Sequence, residues 1–290
     1  MAKILYWTGA GIGNLIQATP AFYELVKHGH DLTVYPEDVP VEALNRIYPY
    51  NYQLNRPNDS ELGNYSMIIY SEFRGSKNPP NGKNVVKPKM RWWKESESEY
   101  HLRIIEELFS IKHPLGVKFL VKPNRTESIK NRNIALCPGG KISHNIKKWP
   151  YFHYLSRQLI LRKWNVYIIG DSKDIKFNID WGPATIMIDQ PFNMVGDLLI
   201  KMNMVVANDC GLMHYAHAIG VPTYCIVGPT STIKNIPTTV TSISNNFCEH
   251  RPCQEKFKDW SDSPKKRCKL ECLEKTVVSN VLDVMGILNV

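Results

Sequence analysis

Ala207-Asn208-Asp209-Cys210-Gly211-Leu212-Met213-His214-Tyr215-Ala216-His217-Ala218-Ile219-Gly220-Val221-Pro222 is the stretch that decides the fold. Its spacing predicts a strand over 205–207 and a helix over 212–219, with a glycine at the junction. A strand that feeds a helix so directly belongs to a parallel α/β sheet. Asp209 is placed to cap the helix, and Gly211 lets a ligand approach the backbone. The free amides near Gly211 and Leu212 and the positive helix end then suit an anion, most naturally a phosphate. His214 adds a hydrogen bond to the same anion. A capped, buried helix without a ligand is the alternative, because strand-Asp-x-Gly-helix is a common arrangement. His217, three residues on, reads as structural.

Working outward, a strand over 223–227 leads to Gly228-Pro229-Thr230, on the carboxyl edge where doubly wound sheets hold ligands. Upstream, a strand over 133–137 ends in Cys137-Pro138-Gly139-Gly140-Lys141, and Lys147-Lys148-Trp149-Pro150 precedes a helix over 151–163. Gly139 and Gly140 permit a tight turn near a ligand, and Lys147 or Lys148 can neutralise a diphosphate, or the two lysines are a solvated surface pair. A strand over 166–169 runs into Gly170-Asp171, with Asp174 beyond. Those two acids accept hydrogen bonds from a ribose, or are turn residues. Helices over 193–202 and 276–288 complete this half.

The first part alternates in the same way: strands over 2–7, 32–35 and 67–70, helices over 15–28 and 100–111. Gly9, Gly11 and Gly13 lie between the first strand and helix without completing a dinucleotide fingerprint. Polar residues weaken the pattern over 116–132, so the linker is placed there. The expected division is 1–125 and 126–290, both Rossmann-like, the second carrying a four-cysteine segment over 248–272 and the closing helix.

With 290 residues, 43% of them apolar, the chain has enough apolar content for packed domains. Thirty-six Lys and Arg against 27 Asp and Glu give a formal charge of +9, which favours anionic partners. No signal peptide and no apolar run of about 18 residues is present, so a cytoplasmic location is expected. Seven cysteines, an odd number, argue against a disulfide framework. Cys137, Cys210 and Cys225 read as small core residues. Cys248, Cys253, Cys268 and Cys272 form two close pairs that suit a structural zinc or iron ion, or are reduced thiols. Lys83, Lys87, Lys89, Arg91 and Lys94 surround Trp92-Trp93. With Arg74, they suit a phosphorylated sugar acceptor or nucleic acid, or else form a solvated loop.

The run Pro138-Gly139, Lys147-Lys148-Trp149-Pro150, Gly170 with Asp174, Asp209-x-Gly211-x-x-His214, Ala218-x-Gly220-x-Pro222 and Gly228-Pro229-Thr230 resembles glycosyltransferase family 9, the bacterial heptosyltransferases. Gly11-Ile12-Gly13-Asn14-Leu15-Ile16-Gln17-Ala18-Thr19-Pro20-Ala21 is similar to that family's opening loop and helix. The resemblance implies the GT-B architecture, two Rossmann-like domains facing across a cleft, and a nucleotide-diphosphate sugar as donor. It implies metal-independent, inverting transfer to a hydroxyl of an anionic acceptor. That acceptor is a bacterial envelope saccharide of the lipopolysaccharide-core type, reached in the cytoplasm with peripheral membrane contact. Transfer to hydroxymethylated bases in DNA, and a non-catalytic nucleotide-sugar or nucleic-acid binding module, are the alternatives.

On this resemblance the donor contacts are Gly11, Gly13, Asn14, Gly139, Lys147, Asp171, Asp174, Asp209, Gly211, Leu212, His214 and Thr230. Arg74, Lys89, Arg91, Trp92 and Trp93 are the acceptor contacts. The family's usual general base is an Asp where this chain has Asn14, and an amide cannot take a proton at useful pH. Glu72 is the expected substitute, with Asp38 behind it, while Lys147 and Asp209 complete the catalytic group.

Overall fold

The structure, a computed structural model, describes residues 1–47, 51–71, 80–91, 94–113, 119–125, 130–140, 146–173, 175, 179–245, 248, 251–253 and 270–288. The chain forms two compact units, Met1–Lys122 and Pro123–Val290. Backbone hydrogen bonds mark the changeover: Lys122 donates to the Arg46 carbonyl at 2.6 Å, whereas Arg125 donates to the Ile219 carbonyl at 2.9 Å.

The first unit runs β1 (Lys3–Trp7), α1 (Ile12–Lys27), β2 (Asp31–Tyr35), α2 (Val41–Leu44), β3 (Asn51–Tyr52), α3 (Asp59–Leu62), β4 (Met67–Tyr70), β5 (Val85–Val86) and α4 (Glu97–Phe109). Its strands are all parallel in the order β3-β2-β1-β4-β5, so the order reverses between β1 and β4. Gly11, at φ 95°, turns the chain from β1 into α1 in a conformation that glycine alone adopts cheaply. α4 begins earlier than its apolar stripe because Ser96 and Glu99 close a capping box, each side chain bonding the other's amide.

The second unit runs β6 (Asn133–Cys137), α5 (Phe152–Leu161), β7 (Asn165–Gly170), β8 (Thr185–Ile188), α6 (Phe192–Leu199), β9 (Met204–Asn208), α7 (Gly211–Ala218), β10 (Thr223–Ile226), α8 (Thr232–Asn235) and β11 (Thr241–Ile243). Helices Glu271–Glu274 and Val278–Val284 follow. The sheet is parallel in the order β11-β10-β9-β6-β7-β8, a doubly wound arrangement whose order reverses between β6 and β9. β6 is buried throughout, as a central parallel strand covered on both faces should be. One core, from Ile134 to Ile287, takes in Trp149, Phe152, Leu159, Ile168 and Leu282.

The closing helix is shorter than the 276–288 expected from its apolar pattern. Thr276 donates its hydroxyl to the Cys272 carbonyl and ends the preceding turn, and Gly286 at φ 70° stops the helix. Among the described residues, no helix is long and apolar enough to cross a membrane.

Candidate functional site

The site lies where β6 and β9 end, at the reversal point of the second sheet. Asn208, the last residue of β9, is fully buried. Its side-chain oxygen accepts from the Trp149 amide at 3.0 Å, while its nitrogen donates to the Pro138 carbonyl at 2.8 Å. One amide side chain thus fixes both the Pro138-Gly139 turn and the segment that carries Lys147. Trp149 anchors that segment further, donating its indole N–H to the Thr276 carbonyl at 2.6 Å.

Asp209 does not cap α7, contrary to the expectation from its spacing. Cys210 is the N-cap residue, in extended conformation, and the Asp209 carboxylate turns to side chains instead. Lys147 Nζ and Asn235 Nδ2 both donate to Asp209 Oδ2, each at 2.9 Å. A buried carboxylate gains more from a charge-assisted bond to an ammonium than from neutral donors, and the Leu212 and Met213 amides bond the Cys210 thiol instead. Burial would raise the Asp209 carboxyl, but Lys147, His214 and the two hydrogen bonds hold it well below the usual carboxylate range. Cys210 is half-buried at the helix start rather than a core residue, while Cys137 and Cys225 are buried as expected.

His214 is buried on the first turn of α7. Burial pushes it down to about 4, Asp209 pulling it up and Lys147 pushing it down, so the imidazole is neutral at pH 7. Three buried polar atoms in this neighbourhood have no hydrogen-bond partner: His214 Nδ1, Thr230 Oγ1 and Asn235 Oδ1. Most buried polar groups in folded proteins are paired, so an unpaired set beside an ion pair marks a place for a ligand. Gly139 is buried in its turn beside them.

Asp171 serves its own turn: Oδ1 accepts from the Lys173 amide at 2.7 Å, the bland alternative for this residue. Asp174 lies outside the described residues, as do Glu72, Arg74, Trp92, Trp93 and Cys268. In the first unit, Gly11 is the N-cap of α1 and Gly13 lies in its first turn, while Asn14, also on α1, donates to the Ala10 carbonyl at 2.8 Å, bracing the loop before the helix. Asp38 is exposed at φ 55°. Arg91 is exposed and paired with Glu107 at 3.1 Å, so one charge of the basic stretch is already neutralised locally. Lys89 is exposed, and its carbonyl accepts from Arg103. Cys253 and Cys272 are buried and Cys248 half-buried. Among the described residues, no group of three or more His, Cys, Asp or Glu side chains is placed to hold a metal. Asn208 and Asn235 were not singled out by motif. Asn208 is signalled only by its place before Asp209 at a strand end, and Asn235 by nothing in the sequence.

Two parallel, doubly wound sheets in one chain, the second with a polar, anion-suited group at its reversal point, define the GT-B class of fold. The family model described as "Glycosyltransferase family 9 (heptosyltransferase)" matches residues 95–266, more than half of the chain. The chain belongs to glycosyltransferase family 9. It is 30% identical over 128 residues to lipopolysaccharide heptosyltransferase 2 of Salmonella typhimurium, covering 40% of this chain and 36% of that one. It is 34% identical over 110 residues to lipooligosaccharide heptosyltransferase 2 of Haemophilus influenzae, covering 34% and 32%. The matches therefore span about a third of the length of these relatives. In fold, the chain is similar to E. coli ADP-heptose lps heptosyltransferase II, with TM-score 0.67, 16% identity and coverage of 99% and 98%. It is also similar to the iron-containing dodecameric glycosyltransferase TibC of enterotoxigenic E. coli, with TM-score 0.70, 15% identity and coverage of 99% and 76%.

Proposed function

We propose that this chain is an inverting glycosyltransferase that moves a sugar, heptose by its relatives' names, from a nucleoside-diphosphate donor to a hydroxyl of an anionic envelope saccharide. The observation that carries this reading is the buried group at the start of α7. There His214 Nδ1, Thr230 Oγ1 and Asn235 Oδ1 lack partners beside the Lys147–Asp209 pair. A diphosphate supplies acceptor oxygens for the His214 and Thr230 donors and a negative charge for Lys147. The α7 dipole adds to that field.

In the reaction, the acceptor oxygen bonds to the anomeric carbon, the bond from that carbon to the diphosphate breaks, and the nucleoside diphosphate leaves with the electron pair. Lys147 stabilises that charge, which is the largest electrostatic demand of the step. The hydroxyl proton goes to a carboxylate, for which Glu72 is the candidate drawn from sequence. The reading uses no catalytic metal: the start of α7 and the ammonium hydrogens of Lys147 not engaged with Asp209 meet the diphosphate. No metal is assigned to the four-cysteine segment, because its three described members, Cys248, Cys253 and Cys272, are not grouped to hold an ion. Asp174 is proposed as the ribose contact, and the cytoplasm, where nucleotide sugars are made, as the place of reaction.

Calorimetry with ADP-, UDP-, GDP- and TDP-linked sugars tests the reading. One class is expected to bind, with ADP-heptose the first choice, and Lys147→Ala is expected to weaken it. No heat from any donor overturns the proposal. Transfer that survives chelator, and a product of inverted anomeric configuration, are the accompanying expectations.

A further inference from the structure

Each of the three central strands of the first sheet ends on an aromatic residue: β1 on Trp7, β2 on Tyr35 and β4 on Tyr70. The register pairs Trp7 with both tyrosines, so the three lie side by side at the reversal point of that sheet. Tyr35 meets Trp7 edge-on at 4.6 Å between centroids, and Tyr70 does so at 5.8 Å. Trp7 is buried between them, whereas both tyrosines are half-buried. The edge is held rigid by backbone bonds that prolong the ladder: Thr8 donates to the Tyr35 carbonyl at 3.1 Å and Ser71 to the Trp7 carbonyl at 3.0 Å.

Polar groups converge on the same place. Trp7 Nε1 donates to Glu37 Oε2 at 3.2 Å, orienting that carboxylate. The Arg56 guanidinium sits 5.3 Å from the Trp7 ring. Burial pushes the Tyr35 phenol up, the Glu37 carboxylate adding to that and the Arg56 guanidinium opposing it. The Gly11 amide donates to the Glu37 carbonyl at 2.9 Å, so Glu37 is tied to the N-cap of α1, the helix that carries Asn14. Half-buried aromatic faces beside a fixed carboxylate and a guanidinium match a pyranose ring, which offers C–H bonds to the rings and hydroxyls to the charges.

We propose that Trp7, Tyr35, Tyr70, Arg56 and Glu37 form the acceptor-sugar subsite, and that Glu37 is the general base that Asn14 cannot be. This rests on the glycosyltransferase reading and replaces Glu72 with Glu37 as its general base. The Glu37 carboxylate takes the proton of the attacking hydroxyl while the new bond to the anomeric carbon forms and the nucleoside diphosphate departs. Trp7 is a positioning residue, acting through Glu37, and Arg56 meets an anionic substituent of the acceptor.

Two measurements on the full chain test this. A printed array of bacterial core oligosaccharides, without donor, reads the subsite, and calorimetry with ADP-heptose reads the donor site. The wild-type chain is expected to bind the array, with Tyr35→Ala and Tyr70→Ala weakening binding at least tenfold and raising the acceptor KM. Glu37→Gln, which keeps an acceptor for Trp7, is expected to leave the donor Kd within about twofold while kcat falls about 10²- to 10⁴-fold. Array binding unchanged in both tyrosine variants, or absent from the wild type, overturns the subsite. Near-normal kcat in Glu37→Gln, or a loss confined to Glu72→Gln, overturns the base. Donor heat that persists while the array fails leaves the donor reading standing. An array that is bound while no donor gives heat supports the subsite and fails the donor reading.

Discussion

Asp209 and Lys147 are an ion pair that folding has largely removed from water, at 2.9 Å and with side chains 6% and 15% exposed. Removing one member leaves the other charge buried and unpaired, which costs about 3 kcal/mol or more. Lys147→Ala is therefore expected to lower both thermal stability and turnover, the latter by about 10²- to 10³-fold if Lys147 meets the leaving charge. Lys147→Arg should restore most of the stability, and comparing unfolding midpoints with kcat across the two variants checks this. His214 supplies a pH signature. Its folded value of about 4 lies below the ordinary 6.5, because burial opposes protonation. The stability associated with the neutral ring is then complete above pH 6.5 and lost as pH falls from 6.5 towards 4, by about 3 kcal/mol. A His214→Gln variant should show a flatter denaturation midpoint across that window. A diphosphate bound beside Nδ1 favours the protonated ring, so donor binding at pH 5.5 should take up protons. Calorimetric heats would then change with the buffer's ionisation enthalpy at pH 5.5 and not at pH 8.

At the level of elements, the site depends on how loops are tied to strand ends. Asn208 links the turn after β6 to the segment before α5, with bonds of 2.8 and 3.0 Å. Asn208→Ala would leave the Trp149 amide and the Pro138 carbonyl unsatisfied, at about 1–3 kcal/mol for each buried group left without a partner. The expected result is a higher donor KM with a smaller change in kcat, because Lys147 loses its mounting rather than its charge. Steady-state kinetics with varied donor checks the split. Gly11→Ala, at φ 95°, should cost about 1–2 kcal/mol and disturb the opening loop, read as a lower unfolding midpoint.

Elements with a strong period were legible in the sequence. β6 falls on residues 133–137, as its unbroken apolar run requires, and α7 differs by one residue at each end from the helix that its spacing predicts. The outer strands were not legible: β3 and β5 have two residues each, too short for any period, and β8 begins with two exposed residues. Site motifs carried Lys147, Asp209 and His214 because their residue types and spacing are local. The partner of Asp209 on α8 is 26 positions away in sequence, and only folding brings Asn235 to it. Glu37 was passed over for the same reason, since its meaning comes from Trp7, 30 positions earlier.

On the scale of the whole molecule, each unit has its own parallel sheet, and the chain changes allegiance between Lys122 and Arg125. Every member of the large core from Ile134 to Ile287 belongs to the second unit, including Trp149 and Leu282, which stitch its ends together. The proposed donor-site group is equally self-contained: the bonds described for Lys147, Asn208, Asp209 and Asn235 all run to residues of that unit. A fragment of residues 123–290 is long enough for a domain with one core of its own. It is therefore expected to unfold in a single cooperative transition and to bind a nucleoside diphosphate with an affinity within about tenfold of the full chain, while transferring no sugar, since the proposed general base belongs to the first unit. Circular dichroism on denaturant titration and calorimetry with ADP check the two halves of this expectation. A fragment that unfolds cooperatively yet gives no heat with ADP, when the full chain does, would show that the second unit's polar group is insufficient for the donor and that residues before 123 complete the grip.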